Sequence, residues 1–202
     1  ACIIPEIIHG FENMNATIKI LPDDRAFEDP AQASRPFSID RKGFVLSEGA
    51  GALVLAAEET VGRYGFTPRA EVLGTGWTSD AFHFTRPNPE TVIRAIREAI
   101  DDAGLDPNDI QYVNAHGTST PRGDSMEIDC LKRVFNTHLE QLPVSSNKSQ
   151  LGHSLGATAA IEAALSIEAM NHGLLLPTVN HIPDPEFDGV DVVPNTLRKA
   201  SH

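Results

Sequence analysis

Histidine and lysine side chains in two short loops are the groups of this sequence best suited to chemistry. His116 lies in NAHGTSTPRGD (114–124), and Lys148 and His153 lie in SSNKSQLGHSLGA (145–157). Two neutral imidazoles that converge on one crevice can donate paired hydrogen bonds to an oxygen atom that becomes negative during a reaction. A nearby ammonium group lowers the pKa of both rings and keeps them neutral. The three residues therefore predict a site that stabilises an oxyanion.

Each histidine taken singly also has a structural explanation. A lone histidine after a strand more often makes a structural hydrogen bond than a catalytic one, and Lys148 is as readily a solvated lysine at a strand end. The pairing favours chemistry, because both loops follow a short strand and precede a helix. In open α/β sheets such loops face a common crevice.

The elements around the loops alternate between strands and helices. Short buried strands are predicted at 110–120 and 143–147, and apolar spacing predicts helices within 89–110 and 123–135, with Gly104 ending the first. This alternation indicates an α/β fold with a parallel or mixed sheet.

The rest of the chain completes that pattern. We expect a short helix within 1–16, an extended surface loop over 17–43, and strands within 43–59 and 70–79, with the apolar run 53–55 buried. Helix 155–171 has small residues nearly all round, which predicts a helix buried between two sheets.

Composition excludes several classes of function. The chain has 202 residues and a formal net charge of −12, which argues against nucleic acid as a partner. No apolar run approaches the roughly 20 residues that a membrane span needs. Cys2 and Cys130 form no metal-ligand pattern and are expected to be buried, reduced thiols. The start resembles no signal peptide and reads as an element already under way, so we expect a piece of a longer protein.

Several segments together resemble the β-ketoacyl-acyl-carrier-protein synthases, the elongating condensing enzymes of fatty acid synthesis. VNAHGTSTPRGD and SSNKSQLGHSLGA are similar to the two histidine motifs of that family, and segments 33–55, 79–90 and 174–186 match it as well. The resemblance implies a thiolase-like layered αβαβα fold built from two similar halves. Residues 1–60 would be the tail of the first half, and 61–202 an incomplete second half.

The resemblance also implies roles for individual residues. His116 and His153 match the two catalytic histidines, and Lys148 matches the supporting lysine. Thr118 and Thr120 match hydroxyl contacts to the phosphopantetheine arm of the substrate.

Two further residues are weaker candidates. Glu127 matches a buried acidic position near the lysine, where some members hold a monovalent cation, and Arg35 is a candidate for contact with the acidic acyl carrier protein. A solvated loop arginine is an equally good explanation of Arg35. The family implies no prosthetic group, a cytoplasmic homodimer, and substrates carried on acyl carrier protein.

The family's nucleophilic cysteine has no counterpart here. Neither Cys2 nor Cys130 matches its motif, so we expect the nucleophile in an absent N-terminal segment that the chain needs in order to fold and work. A non-catalytic ketosynthase-like partner subunit, which shapes the chain-length cavity in polyketide-type synthesis, is the alternative. A metal-dependent hydrolase is a third hypothesis, with the ligands His116, Asp124, Glu127 and His153, although no compact ligand motif is present.

Overall fold

Helix boundaries follow capping residues that are visible in the sequence. The computed structural model describes residues 1–83 and 86–200. Pro89 and Pro121 each occupy a first helical position, the Asn88 side chain accepts a hydrogen bond from the Glu90 amide, and Gly104, at φ +68°, follows the end of the first of these helices. The α-helices of the described residues are α1 Pro5–Asn13, α2 Arg25–Glu28, α3 Glu58–Tyr64, α4 Pro89–Asp102, α5 Pro121–Phe135, α6 Lys148–Leu151 and α7 Thr158–Asn171.

The assigned strands are short and form two pairs. The strands are β1 Val113–Asn114, β2 Val144–Ser145, β3 Leu174–Leu175 and β4 Arg198–Lys199. β1 pairs with β2 in parallel, with Asn114 opposite Ser145, whereas β3 and β4 are antiparallel. Parallel pairing places the ends of β1 and β2 at the same edge, and the two histidine loops both start there.

The hydrophobic core lies between α4, α5 and the parallel strands. The apolar side chains of this core are largely those that helical spacing predicted. The predicted helices within 89–110 and 123–135 are confirmed. The main contributors are Ile93, Ile100, Ile128, Leu131, Val134 and Val144. Since α5 begins five residues after His116, this packing also fixes the first histidine loop.

Residues 17–43 were predicted as an extended surface loop, and that prediction is wrong for much of the segment. It contains α2, capped by the Asp24 side chain, and residues 33–38 are buried. Phe37 is inaccessible to solvent and packs edge-on against Phe187 at 5.9 Å between ring centroids. The segment with its three prolines is therefore a folded, partly buried connection and not a solvent-exposed loop.

The predicted strands within 43–59 and 70–79 also differ from the structure. Both segments lie against helices through glycines: Gly51 contacts Ala160 and Ile161 of α7, and Gly74 and Gly76 contact α4. Apart from bridges at Phe44 and Leu46, no strand ladder includes these segments among the described residues. The apolar run predicted as buried is exposed: Leu53 by 44%, Val54 by 98% and Leu55 by 79%. A strand needs a neighbour for its hydrogen bonds, and no neighbour is present among residues 1–83 and 86–200.

Helix α7 is less enclosed than its small residues predicted. Only Thr158, Glu162 and Ala169 are buried, and Met170 is 60% exposed. The glycine-bearing segment around Gly51 covers one side of the helix. The described residues therefore leave most of this helix half-buried or exposed, which is less enclosure than the expected position between two layers.

Candidate active site

The two predicted histidines meet at the edge where β1 and β2 end. The ring centroids of His116 and His153 are 5.4 Å apart, and the ring planes are nearly perpendicular at 85°. Sequence spacing predicted this convergence from two similar strand–loop–helix units, and the geometry agrees with it.

Hydrogen bonds to Glu127 hold the loop that bears His116. One carboxylate oxygen of Glu127 accepts from the His116 amide at 2.6 Å, and the other accepts from the Gly117 amide at 2.7 Å. Gly117 has φ +34°, and a Cβ there would approach the Ser146 side chain to 2.6 Å, so the position requires glycine. The Ser146 hydroxyl donates to the Gly117 carbonyl at 2.7 Å and joins this loop to the second one.

Backbone, aromatic and hydroxyl contacts fix His153. Its amide donates to the Val45 carbonyl at 2.7 Å, and its ring meets the Phe44 ring edge-on at 5.3 Å between centroids. On the ring, Nδ1 lies 3.0 Å from the hydroxyl of Thr158 in α7. The remaining nitrogen, Nε2, is the one available to a substrate.

Lys148 lies in a buried ion pair beneath the histidines. Its Nζ is 2.7 Å from Oε1 of Glu162, and the two side chains are 1% and 9% exposed. The sequence interpretation missed Glu162. It also placed Glu127 near the lysine, and there the structure agrees: desolvation raises the pKa of Glu127, and the Lys148 charge opposes that rise. Glu162 is one of two acidic residues in TAAIEAALSIEAM, so an acidic residue within a helix rich in alanine was the available signal.

Burial and the Lys148 charge keep both imidazoles neutral. Desolvation first, and the positive charge of Lys148 second, lower the pKa of His153 to about 4. The pKa of His116 is also lowered to about 4, by desolvation and then by Lys148 and His153, although this residue keeps an exposed surface. The predicted effect of Lys148 is confirmed in direction, with desolvation the larger cause.

The two candidate hydroxyl groups lie side by side after His116. Thr118 is 7% exposed, and its Oγ1 lies 3.0 Å from Oγ1 of Thr120. Their contact with a phosphopantetheine arm stays a prediction.

Arg35 cannot contact a partner protein through its side chain, and that prediction is wrong. The guanidinium group is inaccessible to solvent and binds the Asp24 carboxylate with two hydrogen bonds, of 2.9 and 2.6 Å. The Arg35 guanidinium holds the pKa of Asp24 below its usual range. The residue therefore braces the folded segment 24–40.

Neither cysteine has the setting of a nucleophile. Cys130 is buried within α5, where desolvation raises the pKa of its thiol to about 11. Cys2 is exposed, contrary to the prediction that both thiols are buried. A nucleophilic cysteine needs a lowered pKa, so Cys130 is unsuited to that role.

The ligand set of the metal-hydrolase hypothesis does not assemble. The Asp124 carboxylate accepts from the amides of Phe37 and Thr120, and Glu127 accepts from two amides of the histidine loop. Within residues 1–83 and 86–200, no group of three or more His, Cys, Asp or Glu side chains could hold a metal ion.

A groove of about 750 Å³ runs along α5, on a surface lined by none of the three residues of the histidine site. Four cationic and two acidic side chains line it, so its lining carries a net charge of +2 in a chain of net charge −12. They are Arg41, Arg122, Lys132, Arg133, Asp129 and Glu186.

Sequence comparison assigns this arrangement to a family. The profile of the β-ketoacyl synthase C-terminal domain matches residues 69–181. The chain belongs to the β-ketoacyl synthase family. It is 47% identical over 171 residues to 3-oxoacyl-[acyl-carrier-protein] synthase 2 of Staphylococcus aureus, covering 83% of this chain and 42% of that protein. Nodulation protein E of Rhizobium leguminosarum bv. trifolii is 46% identical over 166 residues, covering 82% and 41%.

Solved ketosynthase structures share the fold of almost all of the residues of this chain. A type II PKS ketosynthase in complex with its acyl-carrier protein superposes with a TM-score of 0.90 at 31% identity, covering 98% of this chain and 48% of that one. A β-ketoacyl synthase from Burkholderia phymatum gives 0.83 at 34% identity, covering 98% and 47%. The predicted thiolase-like α/β fold is confirmed. The chain spans less than half the length of these relatives.

None of the helices in residues 1–83 and 86–200 is long and apolar enough to cross a bilayer.

Proposed function

We propose that this chain supplies the histidine side of a 3-oxoacyl-acyl-carrier-protein synthase site, which performs decarboxylative Claisen condensation in fatty acid elongation. The perpendicular pair of neutral imidazoles, His116 and His153, is the observation that supports this proposal. Neutral imidazoles can donate hydrogen bonds to an oxyanion without transferring a proton to it.

The proposed chemistry follows from that pair. Malonyl thioester loses CO₂, and the electron pair released builds negative charge on the thioester oxygen. N–H groups of His116 and His153 donate to that oxygen, each hydrogen bond worth roughly 3–4 kcal/mol in the transition state. The enolate carbon then attacks the acyl thioester carbon, and the cysteine thiolate leaves.

The cysteine would come from polypeptide other than residues 1–202. The buried setting of Cys130 and the 42% coverage of the Staphylococcus aureus relative support this proposal. The exposed apolar run 53–55 is a surface that this polypeptide would cover. In the same proposal, residues 1–60 end the first thiolase-like half, 61–202 belong to the second, and the assembled enzyme is a cytoplasmic homodimer.

Acyl carrier protein is the proposed partner, and its phosphopantetheine arm would pass Thr118 and Thr120. The complex of a similar ketosynthase with its acyl-carrier protein supports this assignment. Because Arg35 is buried, we assign docking of this acidic partner to the α5 groove instead. Pro121 and Arg122 line that groove and directly follow Thr120, and the Arg122 side chain has no hydrogen bond or ion pair within the described part of the chain.

The proposal includes no prosthetic group, but a monovalent cation would fit one position. The Oδ1 atom of Asn114 is buried and has no hydrogen-bond partner, and it lies two residues before the loop held by Glu127. This orphaned oxygen and the Glu127 carboxylate are the groups that would hold such an ion.

The non-catalytic partner subunit is a weaker candidate. A subunit that only shapes a cavity has no need of two neutral imidazoles above a buried Lys148–Glu162 pair. The name of the Staphylococcus aureus relative also favours the enzyme.

The decisive experiment removes one oxyanion donor from the assembled enzyme. We expect His153→Ala to lower decarboxylation of malonyl-acyl-carrier protein by about a hundredfold or more, because one preorganised donor is lost. His172→Ala is the matched control, since His172 is exposed at the end of α7. Normal decarboxylation by the His153→Ala enzyme would refute the proposed role.

A further inference from the structure

The hydroxyl of Thr158 occupies the far side of the His153 ring. Its Oγ1 lies 3.0 Å from Nδ1 of His153 and 3.2 Å from Oγ of Ser154. Thr158 is 7% exposed and is the first residue of α7. The contact is therefore held in place by the packed start of a helix, and water has little access to it.

The position of one proton decides what His153 can do. A neutral imidazole carries its proton on one nitrogen, and the hydrogen bond made by the other nitrogen selects which one. If Nδ1 donated to Thr158, Nε2 would be an acceptor and would repel a developing oxyanion. If Thr158 donates to Nδ1, the proton stays on Nε2, where it can be donated to the substrate.

We propose that Thr158 is a positioning residue whose hydroxyl donates to Nδ1 of His153 and thereby keeps the ring proton on Nε2. Once Thr158 donates its proton to Nδ1, its oxygen can still accept a hydrogen bond. The Ser154 hydroxyl is placed to donate that bond to Oγ1 of Thr158. The Phe44 ring at 5.3 Å fixes the ring plane and offers no competing hydrogen-bond acceptor. The catalytic value of the Nε2 proton rests on the proposed function, but the position of the proton does not.

Nuclear magnetic resonance of ¹⁵N-histidine-labelled protein at neutral pH tests the proton position directly. We expect the His153 signals to show an unprotonated Nδ1 and a protonated Nε2. Thr158→Val, which keeps the shape and removes the hydroxyl, should raise the fraction protonated on Nδ1, and Thr158→Ser should restore the wild-type signals. A wild-type ring protonated on Nδ1, or an unchanged tautomer in Thr158→Val, would overturn the inference.

Kinetics of malonyl decarboxylation by the assembled enzyme test the consequence. Thr158→Val should lower kcat about tenfold with KM nearly unchanged, since the donor acts on charge that develops in the transition state. Thr158→Ser should stay within about threefold of wild type, and Thr60→Val in α3 is the matched control. A full kcat in Thr158→Val would count against the inference. Failure of the wild-type enzyme to decarboxylate would instead refute the proposed function, and the resonance measurement would still decide the position of the proton.

Discussion

Lys148 keeps an ammonium group in a nearly dry part of the site because Glu162 neutralises it. The 2.7 Å contact joins side chains that are 1% and 9% exposed. Removing one partner of such a pair leaves a buried charge without compensation, which costs far more than the pair contributes. Lys148 can therefore hold a positive charge beside the two imidazoles because Glu162 compensates that charge.

We expect Glu162→Gln to lower the free energy of unfolding by about 3–5 kcal/mol, because the buried Lys148 side chain would lose its ion-pair partner. Glu168→Gln on the same helix is the control. It should change stability by less than about 1 kcal/mol, since Glu168 pairs with Arg69 at the surface. Urea denaturation of the two variants measures both values, and equal losses would contradict the assignment.

The site residues divide according to whether a short, recognisable motif carries them. His116, His153 and Lys148 could be predicted because each belongs to a short motif next to a strand. Glu162 and Thr158 were not predicted, because they lie outside those motifs and the first turns of α7 bring them to Lys148 and His153. The predicted role of Arg35 was wrong for the same reason. Its charge suggested a surface contact, and the fold places the Asp24 carboxylate beside it.

Glycine contacts determine how the extended segment 70–79 lies on α4. A Cβ on Gly76 would overlap the Ala95 carbonyl oxygen, and one on Gly74 would overlap the Ala99 carbonyl oxygen. The Thr75 amide between them donates to Asp102 at 2.9 Å. Backbone therefore packs directly on backbone there, and any side chain must displace the segment.

Gly76→Ala should destabilise the protein by about 1–3 kcal/mol through overpacking. Gly62→Ala, within α3 and with no atom near its missing Cβ, should instead stabilise it by about 0.5–1 kcal/mol. Thermal unfolding of both variants provides the comparison. A neutral Gly76→Ala would show that the segment is not held against α4.

Helices α4 and α5 could be predicted because the apolar spacing within each segment defines one face, and these two faces pack against each other in the core. The strands within 43–59 and 70–79 could not be confirmed, because a strand depends on a neighbour as well as on its own sequence. The burial of α7 was overestimated for a related reason: small residues allow a helix to pack closely against neighbours, and the described residues leave most of this helix half-buried or exposed.

Charge is distributed unevenly over the whole molecule. The chain carries a formal charge of −12, yet the lining of the α5 groove is positive. The groove follows about 12 residues of α5, or roughly 18 Å at the helical rise, which is long enough to receive a helix of another protein. Of the four cations of this lining, Arg41 pairs with Asp184 and Arg133 pairs with Glu90. Arg122 and Lys132 are therefore the cations that an acidic partner would meet.

The double variant Arg122→Glu, Lys132→Glu of the assembled enzyme should raise KM for malonyl-acyl-carrier protein about tenfold and leave kcat nearly unchanged. Turnover of a small malonyl thioester without the carrier should not change. Arg94→Glu in α4, where Arg94 is exposed and pairs with Glu98, is the control. Equal effects on the carrier-bound and the small substrate would contradict docking in the groove.

The chain's single tryptophan lies on the segment that packs on α4, and Trp77 is 90% exposed. An indole ring surrounded by water is an intrinsic optical probe, and residues 1–202 hold it at one known position. Polypeptide that covers the open side of segment 70–79 would change the surroundings of that ring before any substrate is present. Binding of such polypeptide to residues 1–202 can therefore be followed through the fluorescence of Trp77, without a label and without a chemical reaction.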